Sequence, residues 1–266
     1  VVTVHGQDFA YTLNRSRICA ESVRATLKGA SEVVLVSEKL KKQYGLETWA
    51  DQLTKYNVVY NGVDLKDVVQ RPKQESVRHR LLTVGFLRPD KGHAVVLKAL
   101  PELIREFPDL EYRIVGDGSE RERLEALTQE LGLSNHVEFL GSLPHHDAMR
   151  EMAECDVFVL PSWKEAFGIV YLEAMAHGKP IIGTLGEGIS EIFAQEDVGI
   201  AVPPKDVSAL TKGIRELFRH QDKAREMGAR GKDLVYRKFT WRYNAQQTHE
   251  VYLKAMRKSK GNSGQS

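Results

Sequence analysis

Short, continuous apolar runs that alternate with helical patterns are the feature that most constrains how this chain folds. Val157–Leu160, for example, has four apolar residues in succession. Such runs are typical of parallel strands buried on both faces of a sheet. Between the runs lie patterns such as Leu97–Phe107, which carries one apolar stripe at helical spacing. Strands that alternate with helices in this way predict an α/β fold with a doubly wound, Rossmann-like parallel sheet.

The same two patterns recur along the whole chain. The expected strands are Val1–Val4, Glu32–Val36, Asn57–Tyr60, Leu81–Phe86, Glu111–Val115, His136–Leu140, Asp156–Leu160, Pro180–Gly183 and Gly199–Val202. The expected helices are Leu97–Phe107, Glu120–Leu131, Ala148–Ala153, Ile169–Ala176, Val207–Phe218, Asp222–Tyr236 and Trp241–Met256.

A turn dipeptide at Asn61-Gly62 indicates a domain boundary. Residues 61–238 hold a complete Rossmann-like domain, whereas residues 1–60 hold too few elements to bury a core alone. We therefore expect residues 1–60 to be the C-terminal remnant of a second Rossmann-like domain. Residues 239–258 are expected to form one helix, and residues 259–266, which include no apolar side chain, to form a mobile tail.

Composition excludes several classes of protein. The formal net charge of +2 provides no field that would attract nucleic acid. No apolar run approaches the roughly 20 residues that span a bilayer. Cys19 and Cys155 stand outside any CxxC or Cys/His cluster, so they indicate neither a disulfide framework nor a zinc site. This cysteine usage favours a reducing cytoplasm.

The segment after the strand at 157–160 predicts an anion site. A loop follows the strand and a helix starts near Ile169, so free N–H groups and the positive end of a helix dipole face the crevice. Gly168 lets a ligand approach that backbone, as phosphate-binding helices require. Glu165 and Glu173 flank the site. Carboxylates repel a phosphate, and sugar hydroxyls are partners that would account for both of them.

The alternative interpretation makes Glu165 a loop charge and Glu173 part of a solvated helix face. The apolar neighbours Ile169 and Leu172 place Glu173 beside a buried stripe instead. A half-buried glutamate is uncommon without a partner, and this favours the functional interpretation.

A second loop, 85–92, follows another strand and is basic. Gly85 ends the strand, and Arg88 or Lys91 is placed to clamp a diphosphate. The turn Gly116-Asp117-Gly118 lacks the third glycine of a dinucleotide fingerprint and is interpreted as a tight turn. The loop 186–191 fits either a wall of the same cleft or a plain turn.

Two histidine positions have different interpretations. His5 ends the first strand, where that strand would face the cleft, and is a candidate site residue. The adjacent His145 and His146 do not have the spacing of metal ligands. With Asp147 they indicate the start of a helix, with the aspartate in its first turn.

Taken together, these segments resemble a known enzyme family. The pair Glu165 and Glu173, with Phe167-Gly168 between them, resembles the E-x7-E signature of retaining glycosyltransferases of the GT-B fold, family 4 in particular. Further segments of residues 1–256 agree in order and spacing, namely 4–8, 33–37, 61–64, 85–92, 116–118, 161–162, 178–181, 199–204 and 239–241. The ordered set is far more specific than E-x7-E alone.

The resemblance implies a role for each candidate residue. Glu173 binds the ribose, Glu165 contacts the donor sugar, and Lys91 holds the leaving phosphate. Arg88 takes the place of the arginine that many members have directly after the glycine, where this chain has Phe86. His5 faces the reacting centre from the other domain. The backbone that approaches the diphosphate is that of Phe167, Gly168, Ile169 and Val170.

The resemblance also implies the reaction and its partners. We expect transfer with retention from a UDP-, GDP- or ADP-linked sugar to a glycan, a lipid-linked glycan or a small molecule, without a metal or another cofactor. The family's N-terminal domain has about 150 or more residues, so a homodimer or a partner chain is expected to cover the partial one. The expected location is the cytoplasm, including the inner face of the membrane.

Two alternatives remain open at this point. One is a non-catalytic module that binds a nucleotide sugar, which the short N-terminal part favours. The other is an NAD-dependent oxidoreductase, which the missing third glycine disfavours.

Overall fold

The computed structural model describes residues 1–6, 12–13, 15–43, 55–69 and 79–262. The chain divides into two compact units, one formed by Val1–Gly62 with Phe239–Ser266 and the other by Val63–Lys238. These bounds lie within two residues of the predicted boundary segments. Each unit is described separately below.

The first unit contains a parallel three-stranded sheet in the order β1-β2-β3, formed by β1 (Val2–Val4), β2 (Val33–Leu35) and β3 (Tyr56–Val58). Helices α1 (Arg17–Gly29) and α2 (Glu38–Gln43) connect its strands, and the last helix of the chain, α10 (Trp241–Asn262), belongs to the same unit. Its apolar core consists of Val4, Leu27, Val33, Leu35 and Tyr56.

Buried charges join the two ends of the chain within this unit. The fully buried Glu32 carboxylate lies 3.0 Å from Lys254 Nζ and 2.5 Å from Lys258 Nζ, both on α10. The helix α10 continues to Asn262, four residues beyond the predicted end at residue 258.

The second unit contains a six-stranded sheet in which every neighbouring pair is parallel. Its strands are β4 (Arg80–Val84), β5 (Glu111–Val115), β6 (Val137–Gly141), β7 (Val157–Val159), β8 (Ile181–Thr184) and β9 (Gly199–Val202). Its helices are α3 (His93–Glu106), α4 (Arg121–Glu130), α5 (His145–Glu154), α6 (Ile169–Ala176), α7 (Ser190–Glu196), α8 (Val207–Arg219) and α9 (Gln221–Lys238).

The strand order β6-β5-β4-β7-β8-β9 confirms the predicted doubly wound α/β fold. The chain moves outward in one direction from β4 and in the other direction from β7, so the order reverses between these two strands. Ligands of open parallel sheets bind outside the carboxyl ends of the strands at such a reversal. The loops that leave β4 and β7 there are residues 85–92 and 160–168, the two loops that the sequence had indicated.

Within the described parts of the chain, no helix has the length and apolar character needed to cross a membrane.

Candidate functional site

An ion pair joins the two loops at the strand reversal. Lys91 Nζ, on the turn after β4, donates to Glu165 Oε2 on the loop after β7 at 2.6 Å. The two side chains are only 13% and 15% exposed. Two predicted site residues that are 74 positions apart in sequence therefore meet at the place where a ligand of this fold binds.

The loop from β7 ends at the N-terminus of α6. Gly168 precedes the helix with φ of +84°, a conformation that favours glycine. A Cβ at this position would lie 2.6 Å from the Tyr171 ring and 3.1 Å from Glu165 Cγ. Ile169 and Val170 then start the helix, so their N–H groups belong to its first turn, where no intrahelical acceptor exists. An anion at this point would meet both these donors and the helix dipole.

The buried side chains of Phe167 and Tyr171 hold the helix start in place. Phe167 is buried, and the Tyr171 hydroxyl donates to the Leu160 carbonyl at the end of β7. Burial, with a smaller effect of the Glu165 and Glu187 carboxylates, raises the pKa of Tyr171 well above its ordinary value. The tyrosine therefore stays neutral and acts as a fixed hydrogen-bond donor beneath the site.

Glu173 lies one turn into α6, half-buried. Burial raises the pKa of its carboxyl above the ordinary value of 4.5, and the charge of Asp67 adds to this effect, while the charge of His145 opposes it. His145 Nε2 lies 3.4 Å from Asp67 Oδ2. Glu173 is thus a partly desolvated carboxyl group.

His177 ties the segment 63–69 to the end of α6. Its Nε2 accepts from the Val69 N–H at 3.1 Å, and its Nδ1 lies 2.7 Å from the Glu173 carbonyl oxygen. To accept from the Val69 N–H, Nε2 has to be unprotonated, so the ring proton is on Nδ1. Burial, the largest cause, lowers the pKa of His177, which agrees with the neutral ring that these contacts require.

The loop 85–92 is held by its own side chains. Arg88 donates from Nε and Nη2 to the two carboxylate oxygens of the buried Asp90, each at 3.0 Å. Burial lowers the pKa of His93 to about 4, so the ring is neutral and its Nε2–H donates to the Phe86 carbonyl at 3.2 Å. The Phe86 side chain, at the position where many family members have arginine, is 71% exposed.

Close backbone packing explains the glycines around this loop. A Cβ at Gly116 would lie 2.0 Å from the Gly85 carbonyl oxygen, and one at Gly118 would lie 2.5 Å from the Leu87 carbonyl oxygen. The Leu87 N–H also donates to the Asp117 carbonyl at 3.0 Å. The Gly116–Gly118 segment is therefore the tight turn that was predicted, and it supports the loop that carries Arg88 and Lys91.

Glu187 is a buried carboxylate that the sequence analysis had not singled out. It is 7% exposed, and its Oε2 accepts the backbone N–H of Glu165 at 2.5 Å. A Cβ at Gly188 would lie 2.1 Å from the Ala166 carbonyl oxygen. The loop 185–189 thus packs directly on the loop after β7.

The structure places the remaining predicted residues as follows. His5 follows β1 in the first unit and its side chain is exposed. Its neighbours Gln7 and Asp8 lie outside the described residues. His145 starts α5 with Asp147 in the first turn, as predicted. The sequence analysis missed Asp90, Glu187 and the proximity of Asp67 to His145, because each depends on contacts with residues distant in sequence or on burial.

With this geometry in place, comparison with known proteins identifies the family. The family model described as "Glycosyl transferases group 1" matches residues 67–234, more than half of the chain. This range includes the Lys91–Glu165 pair, the helix α6 and Glu187.

Two curated relatives illustrate the similarity. An uncharacterized glycosyltransferase of Methanocaldococcus jannaschii is 30% identical over 237 residues, which cover 85% of this chain and 60% of the relative. A GDP-mannose-dependent alpha-(1-6)-phosphatidylinositol monomannoside mannosyltransferase of Mycolicibacterium smegmatis is 33% identical over 169 residues, or 61% of this chain and 44% of the relative. The chain thus spans about half the length of these relatives.

Among solved structures, HepE of Anabaena in complex with UDP and glucose superposes with a TM-score of 0.78 at 23% identity. The alignment covers 94% of this chain and 70% of that structure. At this identity the likeness concerns the fold, which is that of GT-B glycosyltransferases. The chain belongs to the family of group 1 glycosyltransferases.

Proposed function

We propose that this chain carries the donor site of a retaining glycosyltransferase, which moves a sugar from a nucleoside diphosphate to a hydroxyl acceptor. The diphosphate binds at the N-terminus of α6, against the backbone of Phe167, Gly168, Ile169 and Val170. Glu173 binds the ribose hydroxyls, and Glu165 binds the sugar. Lys91, supported by Arg88 and the backbone at Gly85, holds the leaving phosphate.

The observation that carries this proposal is the Lys91–Glu165 ion pair at the strand reversal. It places one cation and one carboxylate 2.6 Å apart, beside the start of a helix. A phosphate ester needs the cation and the helix N–H groups, and a sugar needs the carboxylate. A sugar diphosphate is the ligand that uses both together.

The reaction would proceed on one face of the sugar. The acceptor oxygen bonds to the anomeric carbon on the side from which the diphosphate leaves. The bond between that carbon and the diphosphate oxygen breaks, and its electron pair stays with the diphosphate. The acceptor's proton passes to the same leaving oxygen. Charge grows on the leaving diphosphate, so fixed donors there stabilise the transition state more than the ground state.

In this proposal the positive charge around the diphosphate comes from protein groups alone. Lys91 and the first turn of α6 supply it directly. Arg88 contributes only if its guanidinium exchanges Asp90 for phosphate, since both carboxylate oxygens of Asp90 hold it now. Activity that survives a metal chelator would support this part of the proposal, and activity that needs a divalent ion would overturn it.

The remaining expectations belong to the whole protein. His5, in the first unit, is included as a catalytic residue on the strength of the family resemblance alone. The acceptor is a glycan, a lipid-linked glycan or a small molecule. A homodimer or partner chain covers the first unit, and the protein acts in the cytoplasm, at the inner face of the membrane where the acceptor is a lipid.

The donor site is tested by thermal unfolding with millimolar UDP, GDP, ADP or NAD. A ligand at 100 times its Kd adds about 2.7 kcal/mol to stability. We expect stabilisation by one nucleoside diphosphate, its loss in Glu173→Ala, and its retention in Glu226→Ala, which removes an exposed glutamate of the same unit. Stabilisation by NAD alone, or an equal effect of both variants, would refute the proposed site.

The second candidate function is a non-catalytic module that binds nucleotide sugars. The two functions are separated by measuring release or transfer of sugar from the nucleotide sugar that binds. Turnover that Glu165→Ala abolishes identifies an enzyme. Binding without turnover identifies the module.

A further inference from the structure

We propose that Glu187 is a positioning residue for the donor sugar, because it fixes the backbone from which Glu165 extends. The inference rests on the proposed function, since it deepens the assignment of Glu165 as the residue that binds the sugar. Glu187 lies outside the E-x7-E pair and is contributed by the turn between β8 and α7.

The main contact is a hydrogen bond from backbone to carboxylate. The Glu165 N–H donates to Glu187 Oε2 at 2.5 Å, and Glu187 is 7% exposed. Burial of a charge costs free energy unless the charged group is hydrogen-bonded. The hydrogen bond from the Glu165 N–H therefore stabilises the buried Glu187 carboxylate. Hydrogen bonds to ionised acceptors are about twice as strong as neutral ones. The position of residue 165, on the loop after β7, is therefore set by a side chain from the turn after β8.

The turn that carries Glu187 is itself well ordered by hydrogen bonds. The Ser190 hydroxyl donates to the Glu187 carbonyl at 2.8 Å and accepts from the Gly186 N–H at 3.0 Å. The Ser190 N–H donates to the same Glu187 carbonyl at 2.9 Å. These hydrogen bonds hold the backbone of Glu187 in place, so the Glu187 side chain accepts from the Glu165 N–H in a fixed position.

Gly188 provides a second, independent contact between the two loops. A Cβ there would lie 2.1 Å from the Ala166 carbonyl oxygen and 3.0 Å from Phe167 Cα. The glycine therefore allows one backbone to lie directly on the other. Residues 165–167 are held from the same side by a carboxylate and by close packing.

The start of α6 and the Glu165 side chain are held in place by different contacts, and this determines how loss of the Glu187 carboxylate should affect binding of the sugar. The start of α6 is anchored separately, through Tyr171 and the end of β7. The Glu165 side chain, in contrast, meets Lys91 at 2.6 Å only while its own backbone stays in place. Loss of the Glu187 carboxylate should therefore disturb the contact with the sugar and leave the binding of the diphosphate nearly intact.

The test compares Glu187→Ala, Glu187→Gln and a control, Glu196→Ala, which removes a partly exposed glutamate of the neighbouring helix that pairs with Lys238. Two readouts are needed. Hydrogen exchange of the ligand-free chain reports the Glu165 amide directly. Calorimetry gives the affinity for UDP and UDP-glucose, and for GDP and GDP-mannose.

We expect Glu187→Ala to speed exchange at the Glu165 amide and to weaken the binding nucleotide sugar about tenfold or more, with less than a threefold change for the matching nucleoside diphosphate. Glu187→Gln retains an acceptor oxygen and should recover most of the affinity, and Glu196→Ala should match the wild type. In the Glu165→Ala background the effect of Glu187→Ala on the nucleotide sugar should disappear.

Three results would overturn the inference. Unchanged exchange at Glu165 would show that Glu187 does not hold the loop. Equal loss of nucleotide and nucleotide sugar would show a general structural role. Absence of binding by the wild type, together with faster exchange in Glu187→Ala, would refute the proposed function and with it the role toward a sugar, while leaving the loop contact established.

Discussion

Replacing Glu165 by glutamine is expected to make a nucleoside diphosphate bind more tightly, although we propose that Glu165 belongs to the donor site. In the ligand-free chain the Glu165 carboxylate lies 2.6 Å from Lys91 Nζ, and both side chains are mostly buried. A bound diphosphate has to draw the Lys91 ammonium away from this carboxylate or share it. Glutamine removes the competing charge and keeps the shape of the side chain.

The size of the effect follows from the geometry of the pair. At 2.6 Å and an effective dielectric constant of about 20, the gross attraction is about 6 kcal/mol. Desolvation of the two charges offsets most of it, and hydrogen bonds to charged groups contribute about 1.5–3 kcal/mol net. We take the net contribution of the Lys91–Glu165 pair as about 2 kcal/mol. The ligand-free Glu165→Gln variant should lose that much stability, and its affinity for the nucleoside diphosphate should rise by up to about 30-fold.

Urea unfolding and calorimetry measure the two sides of this cycle. Unfolding of the ligand-free chain gives the lost stability, and titrations with UDP or GDP give the gained affinity. The ratio of affinities for the nucleotide sugar and the nucleoside diphosphate should fall, because the contact with the sugar is lost. Glu226→Gln, at an exposed position, serves as the control. Weaker binding of the nucleoside diphosphate by Glu165→Gln, or unchanged stability, would refute the reasoning.

Three further predictions concern pH and packing. Burial raises the pKa of Glu173, so ligand-free wild type should lose stability relative to Glu173→Gln as pH rises above about 4.5, and Glu173→Gln should bind the nucleotide more weakly in calorimetry. Burial lowers the pKa of His177, so wild type should lose stability relative to His177→Ala as pH falls below about 6.5, as measured by urea unfolding at several pH values. Gly188→Ala should cost about 1–3 kcal/mol in thermal unfolding, because its Cβ would meet Ala166, whereas Gly29→Ala, with open space around it, should not. A pH dependence of stability with the opposite sign, or equal melting temperatures for Gly188→Ala and Gly29→Ala, would contradict these expectations.

The strands and most helices were predictable because burial on both faces of a parallel sheet leaves a direct trace in the sequence. Val157–Val159 is buried at every position, and the corresponding apolar run is continuous. The helix α6 has the bounds that were predicted, Ile169–Ala176, because glycine precedes it and apolar residues fill it. The loops 85–92 and 160–168 were also indicated, because each follows a predicted strand at its carboxyl end.

Contacts between segments that are distant in sequence could not be predicted from the apolar pattern. The hydrogen bond from the Glu165 N–H to Glu187 Oε2 joins residues that are 22 positions apart in sequence. Only the glycines on either side of Glu187 indicated close packing there. The helix α10 extends past its last apolar residue, so periodicity could not indicate its end. Its charged residues Lys254 and Lys258 look solvated in the sequence, but they pair with the buried Glu32.

Three carboxylates around the proposed anion site determine which ligand that site would prefer. Glu165 and Glu187 are part of the loop contacts, and Glu173 is held partly desolvated one turn into α6. For a simple anion, each of these charges reduces affinity, because it opposes the helix dipole and Lys91. A ligand that carries hydroxyl groups as well as phosphates turns the same carboxylates into acceptors.

Inorganic pyrophosphate therefore provides a sharp test of this site. It has the two phosphates of the donor and none of its hydroxyl groups, so it should stabilise the wild type less than the matching nucleoside diphosphate in thermal unfolding. In Glu173→Gln the difference between the two ligands should narrow, because the contact with the ribose is lost and the nearby negative charge is removed. Stronger stabilisation of the wild type by pyrophosphate would show that the carboxylates serve the fold rather than the sugar nucleotide.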